Sequence, residues 1–172
     1  HLRPVLEALR SFSRISFTYD NFKKGTITTR HISPLQLREF DRRWYVVGVP
    51  EGESHIKTFG LSRMSNLKIT GLSSIDPSLF EEQLQKFNRV VGLNYDAGVD
   101  AVVVRLAVSE KQYKYLETLP LHSSQTKESI LPDGRVEVSY FLIPSSEFKM
   151  QVVQMGDPGA VFDSMTEDGS FE

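Results

Sequence analysis

Between residues 14 and 70, β-branched and aromatic residues recur in short runs, each cut off by turn-forming residues. RISFTY ends at Asp20-Asn21, TITTRHIS starts after Gly25 and meets Pro34, PLQLREF follows, RRWYVVGV meets Pro50 to Gly52, and HIKTFGL and NLKIT complete the series. Runs this short and this closely spaced cannot form long helices or a wide parallel sheet. They predict five or six short strands in about 60 residues, the spacing of a small barrel. Pro34 lacks a backbone N–H and is expected to interrupt the ladder. In RRWYVVGV, period-two alternation places Trp44, Val46 and Gly48 on one face and Tyr45, Val47 and Val49 on the other. The first set is expected to face the core and Tyr45 to face outward.

A short helix over RPVLEALRS precedes the strands, with Val5, Leu6 and Leu9 at helical spacing, and reads as the tail of a linker. After Asp76-Pro77-Ser78 the pattern turns helical through Leu79, Phe80, Leu84 and Phe87, with Pro77 at a favoured first position. GLNYDAG at 92–98 reads as a connection. The remainder alternates strand, helix, strand, strand, helix, strand: DAVVVRLAV, SEKQYKYLETL, QTKESIL, RVEVSYFL, SSEFKMQVVQM and AVFDSM. This βαββαβ order predicts a ferredoxin-like arrangement. Ser109 and Gln112 have the spacing of a capping box, and Gly156 suits a left-handed helix stop. The acidic end EDGSFE is expected to fray. The expected organisation is a small β-barrel with its leading linker helix over 1–75, a helical linker over 76–98, and a ferredoxin-like unit over 99–172.

Charge divides the chain in the same place. Residues 1–68 hold 12 Lys and Arg against 6 Asp and Glu, while residues 69–172 hold 8 against 16. The basic half is the candidate for an anionic partner, although a solvated basic surface explains the same balance. The absence of cysteine excludes disulfides, thiolate metal sites and a cysteine nucleophile, and fits a reducing cytoplasm. No apolar run reaches membrane-spanning length and no signal peptide is visible. The four histidines are too scattered for a metal cluster, no phosphate-binding loop or hydrolase motif is present, and the pairs Glu81-Glu82 and Glu167-Asp168 read as solvated faces. Neither an enzyme nor a cofactor is expected.

The basic half does combine aromatic and cationic residues on strands: Tyr45, His31, Lys57, Arg63 and Arg30. Rings that stack bases and cations that hold phosphates are what single-stranded nucleic acid requires of a small barrel surface. Each residue also has an ordinary explanation. Tyr45 can be packing with its hydroxyl in water, His31 a strand histidine, Phe59 core, and Arg63 a turn guanidinium.

The order of segments resembles the WYL-domain family of bacterial transcriptional regulators, named for a Trp-Tyr-Leu triplet that stands here as Trp44-Tyr45-Val46. ISFTY is similar to the family's first strand. TTRHISPLQL resembles its Arg-x-x-x-Pro-x-x-Leu segment, and IKTFGLSRM its Arg-x-Phe-x-Leu-Asp-Arg-Ile segment. PLHSSQ at 120–125 and FKMQVVQMG resemble the C-terminal extension that often follows such domains. Departures are Val46 for leucine, Lys57 for arginine, Gly60, and Ser62 for aspartate; lysine offers a point charge where a guanidinium offers a bidentate fork.

The resemblance implies an Sm-like or SH3-like barrel and a ferredoxin-like extension in a cytoplasmic regulator. It implies a homodimer that senses a single-stranded nucleic acid or nucleotide effector and binds operator DNA through a domain outside this chain. On it, Tyr45 meets the effector, His31, Lys57 and Arg63 contact its phosphates, and Arg30 and Ser62 support them. The alternative is an interaction module that only dimerises, without a ligand. PLHSSQ is expected to shape a loop.

Overall fold

The structure is a computed structural model that describes residues 1–94 and 98–157 in full and 161–165 by backbone alone. Its described chain divides into two compact units, His1–Leu84 and Gln85–Glu172. Residues 95–97 of the expected connection, and the acidic end, lie outside the described residues.

The first unit opens with α1 (Leu2–Arg10), followed by β1 (Ser13–Asn21), β2 (Thr26–Phe40), β3 (Arg43–Pro50), β4 (Lys57–Gly60) and β5 (Met64–Leu72). The strands form one antiparallel sheet in the order β4-β3-β2-β1-β5. No pairing among the described residues joins β4 to β5, so the sheet is not closed by hydrogen bonds as a full barrel would be. A single 3-10 turn, Leu61–Arg63, carries the chain from one edge strand directly to the other.

The expected break at Pro34 takes another form. TITTRHIS and PLQLREF are one strand, and the register against β3 slips between Pro34 and Gln36. A bulge absorbs the missing N–H without ending the strand. Gly48 stands opposite Pro34, and a Cβ there would lie 2.6 Å from the Ser33 carbonyl oxygen, so the bulge needs bare backbone beside it. The β2–β3 connection is a two-residue turn, Asp41-Arg42, with φ of 49° and 57°. Positive φ at both positions matches the twist of the flanking strands.

Val5, Ala8, Ile15, Phe17, Tyr19, Ile32, Val46, Phe59, Leu61 and Met64 make the core. The leading helix therefore contributes Val5 and Ala8 to the packing, which is more than a linker does. Phe17, Tyr19 and Phe59 meet edge to face with centroids 5.2 to 6.0 Å apart, the favoured geometry for rings with negative faces and positive edges.

In β3 the expected faces are corrected. Trp44 is 40% exposed and is not core, because it sits next to the hairpin turn opposite Glu39, beyond the packed part of the sheet. Tyr45 does not face outward; it is 9% exposed, and Val47 and Val49 are buried as well. The uninterrupted run Val46 to Val49 is the signature of a strand covered on both faces, and alternation selects no exposed face there.

Residues 76–80 begin with a 3-10 turn capped by Asp76, whose carboxylate accepts from the Ser78 amide at 2.9 Å, and α2 (Glu81–Asn88) follows. The second unit contains β6 (Val102–Val108), α3 (Glu110–Thr118), β7 (Thr126–Ile130), β8 (Val136–Leu142), α4 (Ser146–Gln154) and β9 (Val161–Met165). The expected βαββαβ order is present, and the sheet runs β7-β8-β6-β9 with antiparallel pairing throughout. The molecule is thus α+β with two antiparallel sheets.

Ser109 caps α3 by accepting from the Gln112 amide at 3.2 Å, but its own amide donates to Asp157 at 2.8 Å, so a distant carboxylate takes the place expected for the Gln112 side chain. Gly156 follows α4 at φ 62°, as a left-handed stop requires. No helix among the described residues is long and apolar enough to cross a membrane.

Candidate functional site

The first unit gathers rings and cations around the Leu61–Arg63 turn. Tyr45 on β3 is paired with Gly60 at the end of β4. Gly60 has φ −70°, open to any residue, yet a Cβ on it would stand 3.1 Å from Arg63 Nε and 3.4 Å from Tyr45 Cε1. The missing side chain is what lets the guanidinium and the phenol ring both pack close to this position. Beyond Gly60, the Arg63 guanidinium carbon lies 5.3 Å from the Tyr19 ring centroid and 5.5 Å from that of Phe22. A cation–π contact of this kind holds the guanidinium without using its N–H groups. Among the described residues, Arg63 has no carboxylate or hydrogen-bond partner for that edge.

Two polar residues flank the same rings. Thr28 stands opposite Tyr19 in the β1–β2 ladder and Arg30 opposite Phe17, so each shares a face with its aromatic neighbour. Thr28 Oγ1 and Arg30 Nε are buried without a hydrogen-bond partner. A buried polar atom left unpaired costs about 1 to 3 kcal/mol, and a ligand that satisfies it recovers part of that. The Tyr45 hydroxyl likewise makes no hydrogen bond among the described residues, although its ring is buried. The Tyr19 hydroxyl is used internally, accepting from the Gly60 amide at 3.3 Å, which ties β1 to the end of β4. Arg38, opposite Tyr45 on β2, is partly buried, and that desolvation pulls its guanidinium below its ordinary pKa.

Of the residues expected at the site, Tyr45 and Arg63 come together, with Ser62 exposed on the intervening turn and Arg30 on the neighbouring aromatic face. Lys57 and His31 do not join them. Lys57 is at the far end of β4, opposite Gly48, three residues or roughly 10 Å from Gly60. Its ammonium is held by Glu53 at 2.7 Å. His31 is exposed opposite Ser16, on the face of β2 that Arg30 does not share, because adjacent strand residues point apart. Tyr19, Phe22, Thr28 and Gly60 were not legible as site residues. Their only signal in sequence is an aromatic residue flanking each end of Asp20-Asn21, and a glycine where the family pattern carries another residue.

In the second unit, PLHSSQ forms a closed network. His122 Nε2 donates to the Asn88 carbonyl at 2.8 Å and Nδ1 accepts from the Ser124 amide at 3.1 Å, which fixes a neutral ring with its proton on Nε2. Ser124 Oγ bonds both the amide and the carbonyl of Phe141, at 2.9 and 3.1 Å. Gln125 donates to the Leu116 carbonyl at 2.8 Å and accepts from the Leu121 amide and, at 2.9 Å, from the Tyr140 hydroxyl. These side chains are spent on shaping the loop. No group of three His, Asp or Glu among the described residues is placed to hold a metal.

The WYL domain family model matches residues 1–69. Among solved structures, proteasome accessory factor B/C (PafBC) of Arthrobacter aurescens is similar at 16% identity and a TM-score of 0.39, over 94% of this chain and 23% of that one. A CRISPR Cas-related protein is similar at 14% identity and a TM-score of 0.48, over 93% of this chain and 45% of that one. The chain thus spans less than half the length of either. No curated protein matches it.

Proposed function

Starting from a chain that carries a WYL domain over residues 1–69, we propose that its first unit is the effector-sensing part of a transcriptional regulator and that the effector is a single-stranded nucleic acid or nucleotide. The observation that carries the reading is Arg63: its guanidinium lies within cation–π range of Tyr19 and Phe22, its N–H groups are unpaired among the described residues, and the unbonded Tyr45 phenol is close by across Gly60. A guanidinium so placed is preorganised for a phosphate, and the phenol is placed to stack on or hydrogen-bond the attached nucleoside. Arg30 and Thr28 supply buried groups that lack partners, and Ser62 an exposed hydroxyl. His31 and Lys57 become outlying contacts, reached only by a ligand that extends along the sheet.

In this reading the first unit is a small barrel of Sm-like or SH3-like type left open between its edge strands, and the second a ferredoxin-like extension. Neither is an enzyme and no cofactor takes part. The regulator is a cytoplasmic homodimer that meets operator DNA through a domain outside these residues. Effector binding changes the dimer only to the extent that it favours one state over another.

The test is a titration of short single-stranded DNA and of mononucleotides by fluorescence anisotropy at two salt concentrations, with Tyr45→Ala and Arg63→Ala beside the parent. Saturable binding that weakens with salt, and falls about tenfold or more in each variant, is expected. A parent that does not saturate, or variants that bind equally well, leaves the alternative of a module that only dimerises.

A further inference from the structure

The turn between β1 and β2 offers a second aromatic platform beside Arg63. Phe22 is 69% exposed, so its ring is open to a ligand as well as to the Arg63 guanidinium. It is not a loose tip. Asn21 holds the turn: its carbonyl accepts from the Lys24 and Gly25 amides at 3.1 and 2.8 Å, its side chain accepts from the Lys24 amide at 3.2 Å, and Gly25 closes the turn at φ 61°. Lys23 and Lys24 are exposed on the same turn, and neither has an ion-pair partner among the described residues.

The Arg63 guanidinium therefore has two rings of different character within reach, Tyr45 across the bare Gly60 position and Phe22 on the turn. A phosphodiester has the same layout, one phosphate with a nucleoside on either side, whereas a mononucleotide has a base on one side only. Resting on the reading given under Proposed function, we propose that Phe22, Lys23 and Lys24 extend the Tyr45–Arg63 site so that it selects an oligonucleotide over a mononucleotide. Phe22 stacks the second base, and the two lysines follow the backbone beyond it. Asp20, half-buried at the end of β1, is the carboxylate nearest in sequence and sets a limit on how much positive charge the turn presents.

The test compares thymidine monophosphate with a short oligothymidylate on the intact chain, by calorimetry or anisotropy, for the parent, Phe22→Ala and the double variant Lys23→Ala/Lys24→Ala, with circular dichroism to confirm folding. The parent is expected to bind the oligonucleotide more tightly than the monophosphate. Phe22→Ala is expected to weaken the oligonucleotide about 5- to 100-fold and the monophosphate by a much smaller factor, since Tyr19 still holds the Arg63 guanidinium. The lysine variant is expected to reduce the salt slope for the oligonucleotide by about 1.4, two single-strand phosphate contacts. If the parent binds both ligands equally, or Phe22→Ala changes neither, the extension is wrong and the Tyr45–Arg63 site stands. If Phe22→Ala weakens both alike, Phe22 is a prop for Arg63 and the extension is again wrong. If neither ligand saturates the parent, the underlying reading fails and takes this one with it.

Discussion

Tyr45 and Tyr140 occupy similar places in the two units, each with its ring buried on an inner strand of an antiparallel sheet, and they differ in where their hydroxyls go. Tyr140 donates to Gln125 at 2.9 Å, and burial pushes its phenol well above the ordinary pKa. Tyr45 has no partner among the described residues. The neighbours follow the same division. Around Tyr140, the residues His122, Ser124 and Gln125 bond one another's surroundings, while in the first unit the Arg63 edge near Tyr45, and Thr28 Oγ1 and Arg30 Nε beside Tyr19 and Phe17, are left over. The second unit has an unpartnered atom of its own, Gln151 Oε1, but it is on α4 and not in the 120–125 loop. A set of polar groups closed on itself gives stability and a fixed shape. An open set in the basic half of the chain is what recognition of an anion needs.

The contrast is broken most forcefully at Gln125. Gln125→Ala leaves the Tyr140 hydroxyl, the Leu116 carbonyl and the Leu121 amide without their partner, and a loss of about 2 to 4 kcal/mol is expected in urea unfolding of the chain. In the first unit the expected effect falls on binding. Gly60→Ala meets no backbone strain at φ −70°, so stability should change by less than about 1 kcal/mol, but its Cβ displaces the Arg63 guanidinium and affinity for single-stranded DNA should drop several-fold. Arg42→Gly relieves a left-handed arginine in the β2–β3 turn, and a gain of about 1 kcal/mol or less is expected from the same unfolding experiment, with binding unchanged.

The smallest effect concerns acid. Burial raises the Glu147 pKa, but its own amide, the Asn94 side chain, Ser146 and the Leu93 amide outweigh that and hold it below the ordinary glutamate value. A depressed carboxylate contributes stability that is present above the unfolded pKa of about 4.3 and is lost as pH falls through the folded value. The side chain is half-buried and its bonds to Asn94 and Ser146 are open to solvent, so the contribution is well under about 1 kcal/mol after screening. Unfolding midpoints of the parent should fall more steeply below about pH 4.5 than those of Glu147→Gln.

Much of the fold was legible because β-branched runs and turn residues are local signals. Five of the strands around residues 14–70, the βαββαβ order of the remainder, the Ser109 cap and the Gly156 stop all follow from neighbours in sequence. What was misread depends on long-range packing. Pro34 became a bulge because Gly48, fourteen positions on, leaves room for it. Trp44 and Tyr45 exchanged their expected environments because β3 is covered on both faces up to the hairpin turn. At the site, the Tyr45 and Arg63 pairing was legible from the family pattern, whereas strand parity and the Glu53 ion pair separate Lys57 from it, and His31 is kept from it by its distance along β2 from Arg38, the residue opposite Tyr45. Phe22 escaped notice because its contact with Arg63 joins a hairpin turn to a 3-10 turn about 40 residues later, and only the pairing of Tyr19 with Met64 across β1 and β5 brings the two together.

The most direct test of the division between the units removes one oxygen atom from each. Tyr45→Phe and Tyr140→Phe are compared for urea stability and for binding of short single-stranded DNA by anisotropy. Tyr140→Phe is expected to lose about 1 to 2 kcal/mol of stability and keep its affinity, while Tyr45→Phe keeps its stability within about 0.5 kcal/mol and binds several-fold more weakly. Equal destabilisation by both substitutions, with affinity unchanged in both, would contradict the account.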